Sequence, residues 1–356
     1  MGRTLSEAGI VVSLFGLGSV IGAYFGGRAS DKIGFHKVQL FTLFCGGILF
    51  ITLGQIKNYP LICLCTFVLA FVNEAFRPAN SSAIAFYSTI ENRTRSYSLN
   101  RLAINLGWAV GSSIGGFIAA HNYQLLFWVD GLTNIFAAVL LFYFLKPSRI
   151  KPKETKEEEV PESISAYKDK TYLWFIFLVS MFAICFYQLF TTVPKFWRDE
   201  LHLGEKYIGF IMALNGVLIV AIEMVLVYIL EGTRKATHFI AIGIIVCAIA
   251  FGILLIPGPG KLISLIMILF ITVGEIGSMP FMNSFWTVRT TEKNRGQYAA
   301  LYTISWGTAQ TAGPYLSALL VDATNFNVLF LVNIGILIAA AIGFYRLGEK
   351  KGTGSY

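Results

Sequence analysis

The sequence predicts an all-α, polytopic membrane protein with eleven transmembrane helices, five before a hydrophilic linker and six after it. Three observations carry this. First, 55% of the 356 residues are hydrophobic and only 13% are charged, against roughly 25% charged in an average soluble domain. Second, the apolar residues gather into runs long enough to cross a bilayer. Third, Lys and Arg fall almost wholly into alternate loops. The composition excludes a disordered chain, a small disulfide scaffold and an ordinary soluble enzyme.

A membrane helix needs about 20 mostly apolar residues. Residues 8–27, 38–56, 171–194, 236–260, 296–321 and 323–345 are free of Asp, Glu, Lys and Arg. Residues 102–129 hold one full span, a polar turn at His121-Asn122 and the start of the next. That next span runs to about 145 and carries Asp130. Three more contain an internal acid: 59–82 with Glu74, 205–230 with Glu223 and 260–285 with Glu275. These runs are apolar all round and twice the length of the alternating segments of a membrane β-barrel.

Basic residues set the orientation. With the N-terminus outside and eleven crossings, only Arg3, Lys57, Lys195, Arg198, Lys206 and Lys261 of the 28 Lys and Arg lie outside. The net charge of +8 is therefore membrane topology, and nucleic acid is not expected as a partner. Cys45, Cys63, Cys65, Cys185 and Cys247 lie in apolar spans and read as small core residues. The four histidines form no paired-ligand pattern, so no metal is expected. Gly258-Pro-Gly-Lys261 lacks the spacing and following hydroxyl of a phosphate loop. No ATPase and no cofactor are expected.

Residues 147–170 form the one long hydrophilic stretch, rich in both charge signs. It reads as a solvated linker with no binding role. The two sides resemble each other. Glu91-Asn-Arg-Thr-Arg95 and Glu292-Lys-Asn-Arg295 each precede a glycine-containing span, with Gly107 and Gly307 twelve residues beyond the last Arg. Asn122-Tyr-Gln-Leu-Leu-Phe127 parallels Asn325-Phe-Asn-Val-Leu-Phe330, and Pro78 parallels Pro280. The separation stays near 200 residues. Internal duplication of membrane halves marks many secondary transporters, with the site between the halves. Aligning the repeats leaves the first half, residues 1–146, short of its opening helix relative to the second, residues 171–356. No cleavage-type site follows the first apolar run, so no signal peptide is expected.

The first inner loop reads Gly27-Arg-Ala-Ser-Asp31-Lys32-Ile-Gly34-Phe-His36-Lys37. Gly27 allows close helix approach and Gly34 a tight turn. Asp31 can pair with a cation or a helix N-terminus, which would latch a gate. This loop resembles the signature loop of the major facilitator superfamily, G-x-x-x-D-[RK]-x-G-x-[RK]-[RK], with His36 replacing a usual basic residue. Glu231-Gly-Thr-Arg234-Lys235 is a worn second copy, 200 residues after Asp31. The resemblance covers residues 8–347 and implies a two-bundle transporter working by alternating access.

Arg101-Leu-Ala-Ile-Asn105-Leu-Gly107 leads into Gly111, Gly115 and Gly116. Gly107, Gly111 and Gly115 recur every four residues, a face on which another helix can pack. The run resembles the fifth-helix element of solute antiporters in that superfamily, with Ser112 in place of its proline. Glu74 and Arg77 are three apart and share a helix face. Glu74, Arg77, Asp130, Glu223 and Glu275 are relay candidates, because an ionisable residue within the membrane suggests a functional site and a buried acid can exchange a proton near neutral pH. Glu74 and Glu275, late in corresponding helices, are the stronger pair. Arg101, Asn105, Tyr187 and Trp306 are candidates to line a cavity.

The resemblance implies a small-molecule substrate and coupling to protons or another ion. It also implies a monomer in the plasma or inner membrane, with the C-terminus cytoplasmic. Export of amphipathic compounds or drugs is one expectation. A peptide importer is another, since Phe76-Arg77-Pro78 and Ile104-Asn105-Leu106-Gly107 resemble runs of proton-coupled peptide transporters. A non-transporting fragment stays open beside them.

Overall fold

The computed structural model describes residues 5–89, 91–145, 165–291 and 293–349. Most of the predicted linker, its residues 147–164, lies outside the described residues. Every helix of seventeen residues or more falls on one of the predicted runs. They are α1 (Leu5–Ile33), α2 (Phe35–Gln55), α3 (Tyr59–Tyr87), α4 (Arg93–His121) and α5 (Tyr123–Phe144). After the linker come α6 (Lys170–Phe186), a 3₁₀ turn (Tyr187–Phe190) and the short α7 (Thr192–Asp199). The chain continues as α8 (Glu205–Leu230), α9 (Ala236–Ile253), α10 (Gly260–Val288), α11 (Arg295–Ala323) and α12 (Phe326–Glu349). No strand occurs among the described residues.

Eight spans among the described residues are both long and apolar enough to cross a membrane. They are α2, α3, α5, α6 through α7, α8, α9, α10 and α12. Large apolar side chains such as Phe41, Leu64, Phe136, Phe142 and Val225 are exposed along these helices. Water would penalise each of them; lipid does not.

Helix boundaries follow local chemistry. Gly34 joins α1 to α2 at φ 90°, a conformation glycine adopts without a Cβ clash. Asn122 caps α5 by accepting from the Gln124 amide at 2.9 Å. Asn325 accepts from the Val328 amide at 3.0 Å ahead of α12. Asn92 and Asn294 close the turns before α4 and α11, each accepting an amide at 2.8 Å. The internal duplication is thus written into the helix starts.

The contacts divide the chain into two compact units. Unit 1 holds Met1–Tyr87, Gly111–Lys170 and Thr290–Gly307. Unit 2 holds Ser88–Val110, Thr171–Arg289 and Thr308–Tyr356. The units therefore depart from the two sequence halves, because α4 and α11 each change unit partway along.

In unit 1, α1 packs on α3, and α2 on α3 and α5. The α1–α3 seam is set by Gly18, Gly22 and Gly26. A Cβ at Gly18 would stand 2.5 Å from the Phe67 carbonyl oxygen, and one at Gly26 2.5 Å from Ala75 Cα. One at Gly22 would meet the Phe71 carbonyl oxygen. In unit 2, α9 packs on α10 and α12, and α8 on α10. Its core is aromatic: Tyr172, Phe175, Trp197 and Trp286 are fully buried, and Phe175 stacks on Phe285 at 4.5 Å.

Candidate functional site

Unit 2 gathers three of the predicted residues into one charge cluster. Arg101 projects from α4, Glu223 from α8 and Glu275 from α10. Arg101 Nη2 donates to Glu275 Oε2 at 3.0 Å, and its Nη1 lies 3.2 Å from Glu223 Oε2. Both glutamate side chains are 1% exposed and the arginine 18%, so the one cation is shared by two buried acids. Asn215 of α8 donates to Thr272 Oγ1 at 2.9 Å and to Glu275 Oε2 at 3.4 Å. It is a member that sequence reasoning missed, since one amide in a long apolar helix gives no distinguishing signal.

The two favoured relay candidates, Glu74 and Glu275, lie in different units. Glu74 lies in unit 1 and pairs with Arg77 at 3.0 Å, the arginine being 52% exposed. Asp130 is exposed on α5, and its backbone carbonyl accepts from the Thr133 hydroxyl and the Asn134 side-chain amide. Of the remaining cavity candidates, Asn105 is half-buried, and its Nδ2 is buried with no hydrogen-bond partner. Tyr187 packs edge-on against Phe186 at 5.9 Å, and Trp306 lies against Tyr302 at 6.2 Å.

The signature loop forms a helix-capping contact within unit 1. Asp31 accepts hydrogen bonds from the backbone amides of Gly296 at 2.6 Å and Gln297 at 3.0 Å. These are among the first amides of α11, which have no partner within their own helix. Gly27 lets the two backbones meet: a Cβ there would strike the Gly296 carbonyl oxygen. Lys32 and Lys37 are exposed, while buried His36 contacts the Leu145 carbonyl at 3.0 Å. The end of the linker, read as unattached, joins this contact. Ser165 donates to Gln297 Oε1 at 2.9 Å, and Tyr298 donates to Asp169 Oδ2 at 2.8 Å.

The worn second copy repeats the device in unit 2. Glu231 accepts from the Thr94 amide of α4 at 3.2 Å and pairs with Arg95 at 2.8 Å. An acid at the C-terminal end of one helix thus caps the start of another in each unit. In both units the acid and the capped helix come from different halves of the sequence.

Among the described residues, the glycine face predicted on α4 meets no packed helix at Gly107 or Gly111. Gly107 and Gly111 have open space where a Cβ would stand, and Gly115 has only a Leu126 methyl at 3.8 Å. Four-residue spacing identifies a face that permits close approach. Whether a helix occupies it is decided elsewhere in the chain.

Burial holds the Asp31 carboxyl up at about 6, against the pull of the two amides and Arg295. Its ordinary value is 3.8, so the capped arrangement binds a proton more tightly than one in which Asp31 meets water. The cap therefore gains stability as pH falls below about 6, and that gain levels off near the ordinary value. Asp31→Ala removes the acceptor of the Gly296 amide, a loss of about 1–3 kcal/mol, while the Gln297 amide keeps the Asn294 carbonyl at 3.1 Å. Amide hydrogen exchange at Gly296 is expected to quicken about tenfold or more, with Asp31→Asn, which keeps one acceptor, falling short of that. Unchanged exchange in Asp31→Ala would show that the cap carries no stability.

Long lipid-facing helices, a buried ion cluster and acids capping helix starts from the opposite half of the sequence define a membrane carrier rather than an enzyme. The Major Facilitator Superfamily profile matches residues 1–307, and the chain belongs to that family of transporters. An uncharacterized MFS-type transporter of Bacillus subtilis, YqjV, is 22% identical over 328 residues, 90% of this chain and 79% of that protein. Multidrug resistance protein 2 of Bacillus subtilis is 25% identical over 232 residues, 62% of this chain and 57% of its own length. The fold is shared with the MFS transporter FucP in its outward conformation, at a TM-score of 0.76 and 13% identity, covering 98% of this chain and 92% of that one. The chain is an integral membrane transporter for a small-molecule substrate.

Proposed function

We propose that the chain is a proton-coupled exporter of small amphipathic compounds, drugs among them, working as a monomer in the plasma membrane. The observation that carries the coupling is the buried cluster of one arginine and two glutamates, Arg101, Glu223 and Glu275. An ionisable cluster within a span has few uses other than ion or substrate handling. Likeness to a multidrug resistance protein supports the substrate class, and the basic inner loops support a cytoplasmic C-terminus.

In this reading Asp31 and Glu231 are latches on the cytoplasmic side. Each holds a helix start while the substrate path opens outward, and release of both lets the path open inward. Proton binding at the cluster shifts the balance between those arrangements. One pH unit is worth about 1.4 kcal/mol per proton. A one-for-one exchange with a neutral solute then sustains roughly a tenfold concentration ratio per unit of gradient.

Proteoliposomes holding the purified chain test this with a fluorescent amphipathic dye and an imposed pH gradient. Dye movement opposite to the proton flow, abolished by a protonophore, is the expected result. Equal flux with and without the gradient would remove proton coupling, and dipeptide uptake in its place would reverse the direction.

A further inference from the structure

We infer that Glu223 is the proton-binding residue of the cluster, and that Glu275 is the fixed anion which holds Arg101 in place. Two buried glutamates share one guanidinium. With both acids ionised the cluster carries a net charge of −1, and a buried uncompensated charge is strongly unfavourable. One bound proton makes the cluster neutral.

The hydrogen bonds say which acid takes it. Glu275 is built to stay ionised: its Oε2 accepts from Arg101 at 3.0 Å and from Asn215 at 3.4 Å. Glu223 is less well supplied, with the Ser98 hydroxyl of α4 as a neighbour able to donate. Arg101 Nη1 approaches its Oε2 at 3.2 Å, but neither carboxylate oxygen accepts a hydrogen bond, although both are buried. A buried carboxylate so poorly supplied with donors bears most of the loss of its hydration. Protonation removes the charge and turns one oxygen into a donor. The acceptor is at hand, because Ser98 of α4 sits beside Glu223 with its own buried hydroxyl unpartnered.

The other ionisable neighbours do not supply a competing base. Arg101 faces Glu223 from α4 and Glu275 faces it from α10. The Cys247 thiol of α9 lies within electrostatic reach of Glu275 and of the Cys185 thiol of α6, and both thiols are buried. The proton reaction is a carboxylate taking up one proton from water to become the neutral acid, and the cluster changes from −1 to zero. The assignment rests on the coupling role proposed above for its consequence in transport, and on geometry for the site of the proton.

Infrared difference spectroscopy of the purified chain in lipid nanodiscs, between alkaline and acid buffer, reads carboxylic acid C=O bands without any transport. Glu223→Asp is expected to shift the cluster's band, and Glu275→Asp to leave it in place. Glu223→Gln and Glu275→Gln should each delete it, since either leaves one acid to neutralise Arg101. A band that shifts with Glu275→Asp alone, one that survives both Gln variants, or no band in the parent chain would each overturn the assignment. Glu223→Gln should also lose the response to a pH gradient. If the band belongs to Glu223 but the gradient response persists in Glu223→Gln, the proton site stands and the coupling role falls.

Discussion

Replacing Arg101 with alanine is expected to destabilise the folded chain by about 3–5 kcal/mol, the usual consequence of removing one partner from a buried ion pair. Two glutamates that are 1% exposed would be left facing each other with no cation. Some of the loss is recovered by protonating both, so the effect should be largest in alkaline buffer. Thermal unfolding in detergent, followed by tryptophan fluorescence, measures it. Arg101→Lys keeps the charge but not the fork, and should fall between the parent and Arg101→Ala. The triple variant Arg101→Met, Glu223→Gln, Glu275→Gln removes every charge at once and is expected to regain most of the stability, because neutral replacement of a whole buried ion set is often tolerated. It should not regain a pH response. A fully stable Arg101→Ala would mean that the three charges are not energetically linked.

The second large effect belongs to the α1–α3 seam. Gly22→Val and Gly26→Val place side chains where the backbone of α3 already stands. Neither a rotamer change nor a small shift relieves a clash with main-chain atoms, so each should cost at least the 1–3 kcal/mol typical of overpacking. Loss of folded protein in size-exclusion chromatography is the expected readout. The contrast is Gly107→Ala and Gly111→Ala, which meet nothing within 4 Å. These should be neutral or gain up to about 1 kcal/mol from helix propensity. Intact folding in Gly22→Val, or collapse in Gly107→Ala, would contradict the packing described.

That contrast marks the limit of what was legible in the sequence. Span positions could be read because a lipid-facing helix is apolar on every side, so composition alone suffices. The cap at Asp31 could be read as far as its chemistry: an acid at the end of a helix, flanked by glycines, with α11 as an unnamed partner. The two glycine ladders could not be told apart, since Gly18, Gly22 and Gly26 repeat with the same period as Gly107, Gly111 and Gly115. Only the folded chain brings Phe67, Phe71 and Ala75 against the first. The repeat singled out Glu74 and Glu275 by their matching positions. Their surroundings differ: Glu74 pairs with Arg77 on its own helix, Glu275 with Arg101 from another. Duplication preserves the course of the backbone; it does not preserve which charges meet.

The crossing of α4 and α11 between units bears on how the protein is made. Unit 1 includes Thr290–Gly307, so it cannot be finished when the ribosome has passed the linker at Lys170. At ordinary synthesis rates the missing stretch follows on the order of ten seconds later. Through that interval Gly27 and Asp31 sit on a newly inserted helix whose partner does not yet exist. The first half must therefore wait in the membrane as an open intermediate, and assembly is concluded by the last third of the chain.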